Sequence, residues 1–314
     1  MEAMLLTAEL YPWLFYLFVF VISLMVGSFL NVVIHRLPIM MENSWKQEYA
    51  SYFDDTGSDS GSETGNDSAH TTNQNSESVD NQHTQETFNL AKPDSTCPCC
   101  GHKIRAWENI PIISYLFLRG KCSGCKAPIS IRYPLVELFT ALTCTFAAYY
   151  FGPTPQAIWA IVFTYILIAL IFIDLDKMLL PDQLTLPLLW LGLILSTQSI
   201  FVGPVDAIIG AAAGYLSLWS VYWLFKIVTG KEGMGYGDFK ILAAMGAFTG
   251  WQGLPVIILL SSVVGAIAGV ALMVFQNKGK SLAIPFGPYL AVAGWITLFY
   301  KDTIISHYLE WALH

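Results

Sequence analysis

The chain has 314 residues, a formal net charge of −7, 54% hydrophobic and 14% aromatic residues, and a mean hydropathy of +0.52. With only 12% Asp, Glu, Lys and Arg, this composition excludes an ordinary soluble acidic domain and marks a membrane protein. No basic footprint for nucleic acid is present; much of the acid lies in one polar segment, Asp54 to Asp94.

The first apolar run, Trp13 to Ile34, is too long for a signal-peptide core and is preceded by Glu2 and Glu9 rather than by basic residues, so it reads as a retained transmembrane helix. Residues 11–34 are assigned to this helix and residues 35–133 to a loop. Further apolar runs of roughly spanning length lie near 134–152, 156–174, 183–202, 205–228, 253–275 and 285–301, with a shorter one at about 239–251. Those segments predict an all-α polytopic fold of about eight transmembrane helices. Lys and Arg concentrate on the cytoplasmic side of a membrane protein. An eight-span model with the N-terminus outside places the loop, from Arg36 to Arg132, inside and leaves only Lys301 on the outer face.

Inside the loop the composition changes twice. A Ser, Thr, Asn, Gln, Gly and Asp mixture from Asp54 to about Gln85, within an insert of about 50–90, has too little apolar surface to offset the entropy of ordering and is expected to be disordered. Over residues 92–133 a foldable mixture returns with two Cys-x-x-Cys pairs, Cys97 with Cys100 and Cys122 with Cys125. The spacing matches a two-knuckle zinc site, in which four thiolates close a tetrahedral shell around a structural Zn²⁺. A cytoplasmic loop keeps thiols reduced and favours metal over disulfides. Cys99 and His102 crowd the first knuckle as alternative ligands, whereas Cys144 sits in the second span as a small core residue.

Carboxylates in or at the edge of spans are costly and are functional candidates by default. Asp174, Asp176, Asp182, Asp206 and Asp238 qualify. Asp206 and Asp182 stand where helices begin, which makes capping an adequate explanation. Asp174 and Asp238 map to the same end of two different spans and can meet at one depth. Asp176 lies about 200° round a helix from Asp174. Two carboxylates on one water are what aspartic proteolysis requires: like charges at short range cannot both ionise, so one stays protonated while the other accepts a proton from water. Gly233, Gly235 and Gly237 in "EGMGYGDFK" would let an extended backbone approach Asp238 closely.

The motifs "GSFLNVVIHRLP", the two knuckles around "ENIPIISYL", "RYPLVELFTA", "FIDLDKMLLPDQLTLPLLWLGL" and "GMGYGDFKILAAMGAF" occur in an order that resembles the bifunctional type IV prepilin peptidases. The resemblance covers nearly the whole chain apart from the polar insert. It implies a G-x-G-D membrane aspartic protease whose catalytic pair is Asp174 and Asp238, with residues 134–314 as the peptidase domain and 92–133 as a zinc-binding, methyltransferase-associated part. It further implies cleavage of the leader of prepilins and type II secretion pseudopilins at the cytoplasmic face of the inner membrane, followed by N-methylation with S-adenosylmethionine. Gly120 and Glu137 are candidates for the methyltransferase activity, Glu137 as a group holding the substrate amine. Prepilins, pseudopilins and membrane lipid are the expected partners, and nucleic acid is not. Two other classes compete: a transporter whose membrane carboxylates bind protons or cations and whose zinc loop is a gate, which no inverted repeat supports, and a non-catalytic assembly scaffold whose zinc loop docks pilus or secretion machinery.

Overall fold

A computed structural model describes residues 11–57, 88–276 and 284–313. Most of the polar insert, residues 58–87, with its expected disorder, lies outside the described residues. Each of the eight apolar segments forms a helix: α1 Pro12–Gly57, α3 Arg132–Phe151, α4 Pro155–Lys177, α5 Asp182–Ser196, α6 Pro204–Thr229, α7 Tyr236–Thr249, α8 Leu254–Gln276 and α9 Gly287–Leu313. A short helix, α2 Ile113–Phe117, follows a 3-10 turn at Ala106–Asn109 in the loop. Among the described residues, five segments are long and apolar enough to cross a membrane: Pro12–Tyr52, Arg132–Phe151, Pro155–Lys177, Pro204–Thr229 and Trp251–Val274. The first helix is longer than its apolar run and continues past Ile34 to Gly57.

The architecture is organised around α7. This helix is only 14 residues long, yet Phe239, Ile241, Leu242, Ala244, Met245 and Phe248 are all buried, as expected of a helix that is apolar all round. It packs against α5, α6 and α9. Glycines allow the closest of these approaches. A Cβ on Gly210 of α6 would stand 2.3 Å from the Gly246 carbonyl oxygen of α7, and one on Gly246 would stand 2.2 Å from the Gly210 oxygen. Small residues at such crossings replace side-chain packing by backbone contact, which is how helices associate where lipid removes the hydrophobic driving force.

A second unit forms where α1 and α3 pack together, with Gly27 against the Glu137 backbone; a Cβ there would lie 2.8 Å from the Glu137 Cα. Leu30, Val33, Ile34 and Leu37 of α1, Val136 of α3 and Ile168, Ala169 and Ile173 of α4 make a continuous core. Through this core α4 connects the α1–α3 pair to the bundle around α7. The loop leaves α1 and rejoins α3. Buried Arg36 donates to the carbonyls of Asn89 (3.1 Å), Leu90 (3.3 Å) and Pro93 (2.7 Å), so the segment leading into the first knuckle is fixed on α1.

Candidate functional site

Four helix ends converge at one end of the bundle. Helix α4 terminates just after Asp174, where Met178 takes a left-handed conformation (φ 52°) and returns its amide to the Asp174 carbonyl at 2.9 Å. Side chains rarely adopt that region, and here it turns the chain sharply toward Pro181 and α5. Asp238 lies in the first turn of α7, whose N-terminal cap is Gly235. Both carboxyls are buried, Asp174 at 5% and Asp238 at 7% exposure, and they are within electrostatic reach of each other. One Asp174 oxygen, Oδ2, is buried without a hydrogen-bond partner. A buried polar atom left unpaired is costly, so an oxygen kept in that state is available to a ligand.

Two residues that sequence reasoning missed set the spacing. Leu180 fits between the start of α7 and the start of α9: a Cβ on Gly237 would be 2.6 Å from the Leu180 Cβ, and Cβ atoms on Gly237 and Gly287 would each be 3.1 Å from its Cδ1. Gly287 also borders the acid directly, since a Cβ there would stand 2.6 Å from Asp174 Oδ2. The sequence signal for Gly287 is its position between Phe286 and Pro288 after Pro285, a punctuation pattern that marks a break rather than a site. Leu180 carries no signal at all.

The glycines of the loop have separate surroundings. Gly233 packs on the Phe225 ring, where a Cβ would be 2.8 Å away, while Gly235 leaves open space up to the Asp238 carboxylate, with 3.9 Å from a Cβ to Oδ2. The loop is held to the end of α6 by the Lys226–Glu232 ion pair (2.9 Å), and the start of α7 by tilted and edge-on ring contacts of Tyr222 with Tyr236 and Phe239.

The remaining acids are accounted for by partners. Asp176 receives both guanidinium nitrogens of Arg132, at 2.8 and 2.7 Å, a bidentate pair that leaves it no free edge. Asp182 pairs with Lys240 at 2.6 Å, and Asp206 accepts from Trp251 Nε1 at 3.0 Å and Gln252 Nε2 at 3.3 Å. Neither makes a side-chain cap bond, the caps being Pro181 and Gly203, so capping is replaced in both by a tie to another element.

In the loop, the sulfurs of Cys97, Cys100, Cys122 and Cys125 all lie within 4.8 Å of one another. The two knuckles share a backbone. Thr96 bridges Lys103 and Lys121 bridges Pro128; the left-handed residue after the second cysteine is Gly101 (φ 70°) in one and Lys126 (φ 62°) in the other. The amides of Cys99 and Cys100 hold the Cys97 thiol down, to about 6, and those of Cys125 and Gly124 hold Cys122 below its ordinary value. Cys100 receives the His102 amide, but its thiol neighbour Cys125, burial, and the thiols of Cys97 and Cys122 push it up to about 11. Four thiols so placed, with amide donors already directed at them, suit a metal ion that takes them as thiolates. His102 is turned away: its Nε2 contacts Glu108 (3.2 Å) and Ser123 (3.0 Å). Cys99 is exposed and outside the cluster.

Glu137 is buried in α3 with its Oε2 accepting the Ile112 amide at 2.9 Å. Gly120 lies in a left-handed turn (φ 66°) after α2, where a Cβ would meet the Tyr115 hydroxyl at 2.9 Å. The structure does not bring Gly120 and Glu137 to the paired aspartates; both belong to the loop and its junction with α3.

Against this geometry, residues 21–151 match the bacterial Peptidase A24 N-terminal domain and residues 161–270 match the type IV leader peptidase family. The chain is 55% identical to a prepilin leader peptidase/N-methyltransferase of Aeromonas hydrophila, over 95% of each chain. It belongs to the type IV leader peptidase family. Relatives of the same description are 53% identical in Pseudomonas aeruginosa, over 96% of each chain, and 44% identical in Legionella pneumophila, over 95% of this chain and 96% of the relative. No solved structure matches. Within the leader peptidase match fall most of α4, all of α5, α6 and α7 and most of α8, and with them Asp174, Asp238 and Leu180; the N-terminal match carries most of α1, the four cysteines and Glu137.

Proposed function

We propose that this bifunctional enzyme, a protease and an N-methyltransferase, removes the leader of prepilins with Asp174 and Asp238 as its catalytic pair. The observation that carries this reading is the unpartnered, buried Oδ2 of Asp174 beside a second buried acid. A pair of carboxyls at short range shares one proton. The ionised member takes a proton from a water held between them, the protonated member polarises the scissile carbonyl, and the roles reverse as the amine leaves. Gly235 and Gly237 keep side chains away from the approach to Asp238, so an extended substrate backbone reaches the acids. Asp174→Asn and Asp238→Asn, purified in detergent and incubated with a prepilin, are expected to cut the cleavage rate by at least about 10³-fold with inserted, folded protein. Normal processing by either variant would remove the pair from the mechanism.

The four cysteines hold a structural Zn²⁺, which fixes the loop and takes no part in a chemical step. S-adenosylmethionine is the methyl donor, acting after cleavage on the new N-terminus. Glu137 serves this second activity by holding the loop against α3 through the Ile112 amide, and Gly120 by permitting the turn that leads into the second knuckle. Eight helices cross the inner membrane with the N-terminus outside, the paired aspartates and the loop facing the cytoplasm. Type II secretion pseudopilins are substrates alongside prepilins. The division of labour follows the chain: residues 11–34 anchor, 92–133 support methylation and 134–314 form the peptidase.

A further inference from the structure

The motif "ENIPIISYLFLRG" contains a helix that buries nothing inside the protein. Helix α2 has no buried residue. Ile113, Leu116 and Phe117 stand at positions i, i+3 and i+4 and therefore share one face. All three are exposed, Leu116 at 67% and Phe117 at 85%, and Trp107 and Ile110 just before them are exposed as well. Free contiguous apolar surface of this kind marks an interaction site.

Two hydrogen bonds fix the depth of this face. Ser28 of α1 donates to Asn109 at 3.5 Å, and the Ile112 amide donates to Glu137 of α3. Ser28 lies inside the apolar run Trp13 to Ile34, eight residues or about 12 Å along the helix from Arg36. Glu137 lies five residues, about 7 Å, beyond Arg132 in α3. Residues 109–112 are thus level with the apolar parts of both flanking helices, and α2 leaves from that level. Exposed Ile131, just before α3, and Leu135 within it extend the same outward apolar surface.

Charge flanks the face. Residues 92–132 hold seven basic and two acidic residues in a chain of net charge −7. Arg119 and Lys121, both exposed, follow Phe117 directly, and exposed Arg105 precedes the 3-10 turn. An apolar face bordered by cations is the composition of a segment seated in the interface of an anionic leaflet.

We propose that α2 and the turn before it form a foot embedded in the lipid leaflet on the loop side of the membrane. Ile113, Leu116 and Phe117 lie among the acyl chains, and Arg119 and Lys121 lie at the phosphates. The foot rests on the membrane topology proposed above. It would hold the knuckle pair at a fixed height over the bilayer, so that the loop is fastened by lipid as well as by α1 and α3.

The test replaces Phe117 by the photo-crosslinker p-benzoylphenylalanine in the full-length chain, reconstituted in vesicles of phosphatidylethanolamine and phosphatidylglycerol with a prepilin present. Irradiation followed by mass spectrometry is expected to give lipid adducts at position 117, with phosphatidylglycerol enriched at least about threefold over its share of the vesicle. Adducts only to the prepilin would overturn the foot and make this face a substrate surface. Absence of any lipid adduct would overturn it as well, and adducts in simple proportion to composition would overturn the role given to Arg119 and Lys121. Prepilin cleavage by the same preparation, measured in parallel, establishes that the labelled chain is folded and tests the peptidase reading separately.

Discussion

Asp174 differs from the ion-paired acids of the bundle end because its Oδ2 is buried without a hydrogen-bond partner. Asp176 is held by Arg132, Asp182 by Lys240 and Glu232 by Lys226, whereas Asp174 Oδ2 meets only the bare backbone of Gly287 and a wall provided by Leu180. Filling that space should be more damaging to chemistry than to folding. Gly287→Ala places a methyl 2.6 Å from Oδ2, and relief of such overpacking typically costs about 1–3 kcal/mol. The expected outcome is prepilin cleavage reduced by at least about tenfold, since about 1.4 kcal/mol of added barrier is already a factor of ten. Methylation of a pre-cleaved pilin should stay near wild type; equal loss of both activities would mean that Gly287 acts through global stability. At this scale the sequence was informative about chemistry and silent about geometry. Asp174 was singled out by its place at the same end of its span as Asp238 and by the family resemblance, but the bidentate arginine that occupies Asp176 comes from α3, 44 residues away, and no local pattern announces it.

Among the elements, α7 and the knuckle pair bring different physics to similar tasks. Helix α7 is positioned by contact without side chains, and its crossing with α6 tolerates no added atoms. Gly246→Val puts side-chain carbons into the Gly210 carbonyl and is expected to lower stability by about 3 kcal/mol or more, beyond ordinary overpacking because the obstacle is backbone; thermal unfolding in detergent measures it. The knuckles are positioned by sulfur. Chelation is expected to release one zinc per chain and to increase proteolysis between residues 92 and 131, while the paired aspartates in the bundle are untouched. Because metal binding requires thiolates, acid competes with it. Zinc should be retained at pH 7 and bound progressively more weakly as the pH falls, with a metal-sensitive dye as the readout; an apparent affinity that does not weaken on acidification would argue against thiolate ligands. The eight helices were legible from apolar runs, and the cysteine cluster from spacing, because both are local or periodic signals. The extension of α1 to Gly57 was not, since Pro38 reads as a helix break just past the apolar run and the helix beyond it continues an anchored one rather than following an amphipathic pattern.

For the whole molecule, the arrangement is a short buried helix with charge at both ends. Asp238 occupies the N-terminal turn of α7, and Lys301 of α9 donates to the Thr249 carbonyl at its C-terminus at 3.1 Å, the placement a helix dipole favours. Lys301→Met is expected to cost about 0.3–1 kcal/mol, up to ~2 in a partly buried setting, read as a lowered midpoint of thermal unfolding with the metal content unchanged. The sequence marked Lys301 only as the one basic residue on the outer face and gave no reason for it, because its partner lies 52 residues away in the chain. The same helix that carries Lys301 begins at Gly287, against the Asp174 carboxylate. From Gly287 to Lys301 is 14 steps, about 21 Å of helix, and the 14 residues of α7 cover about the same distance. Helix α9 therefore works as a gauge block laid beside α7: one end touches the first acid, the other grips the far end of the helix that bears the second. The gap between the two acids is in this sense calibrated from the opposite end of the bundle.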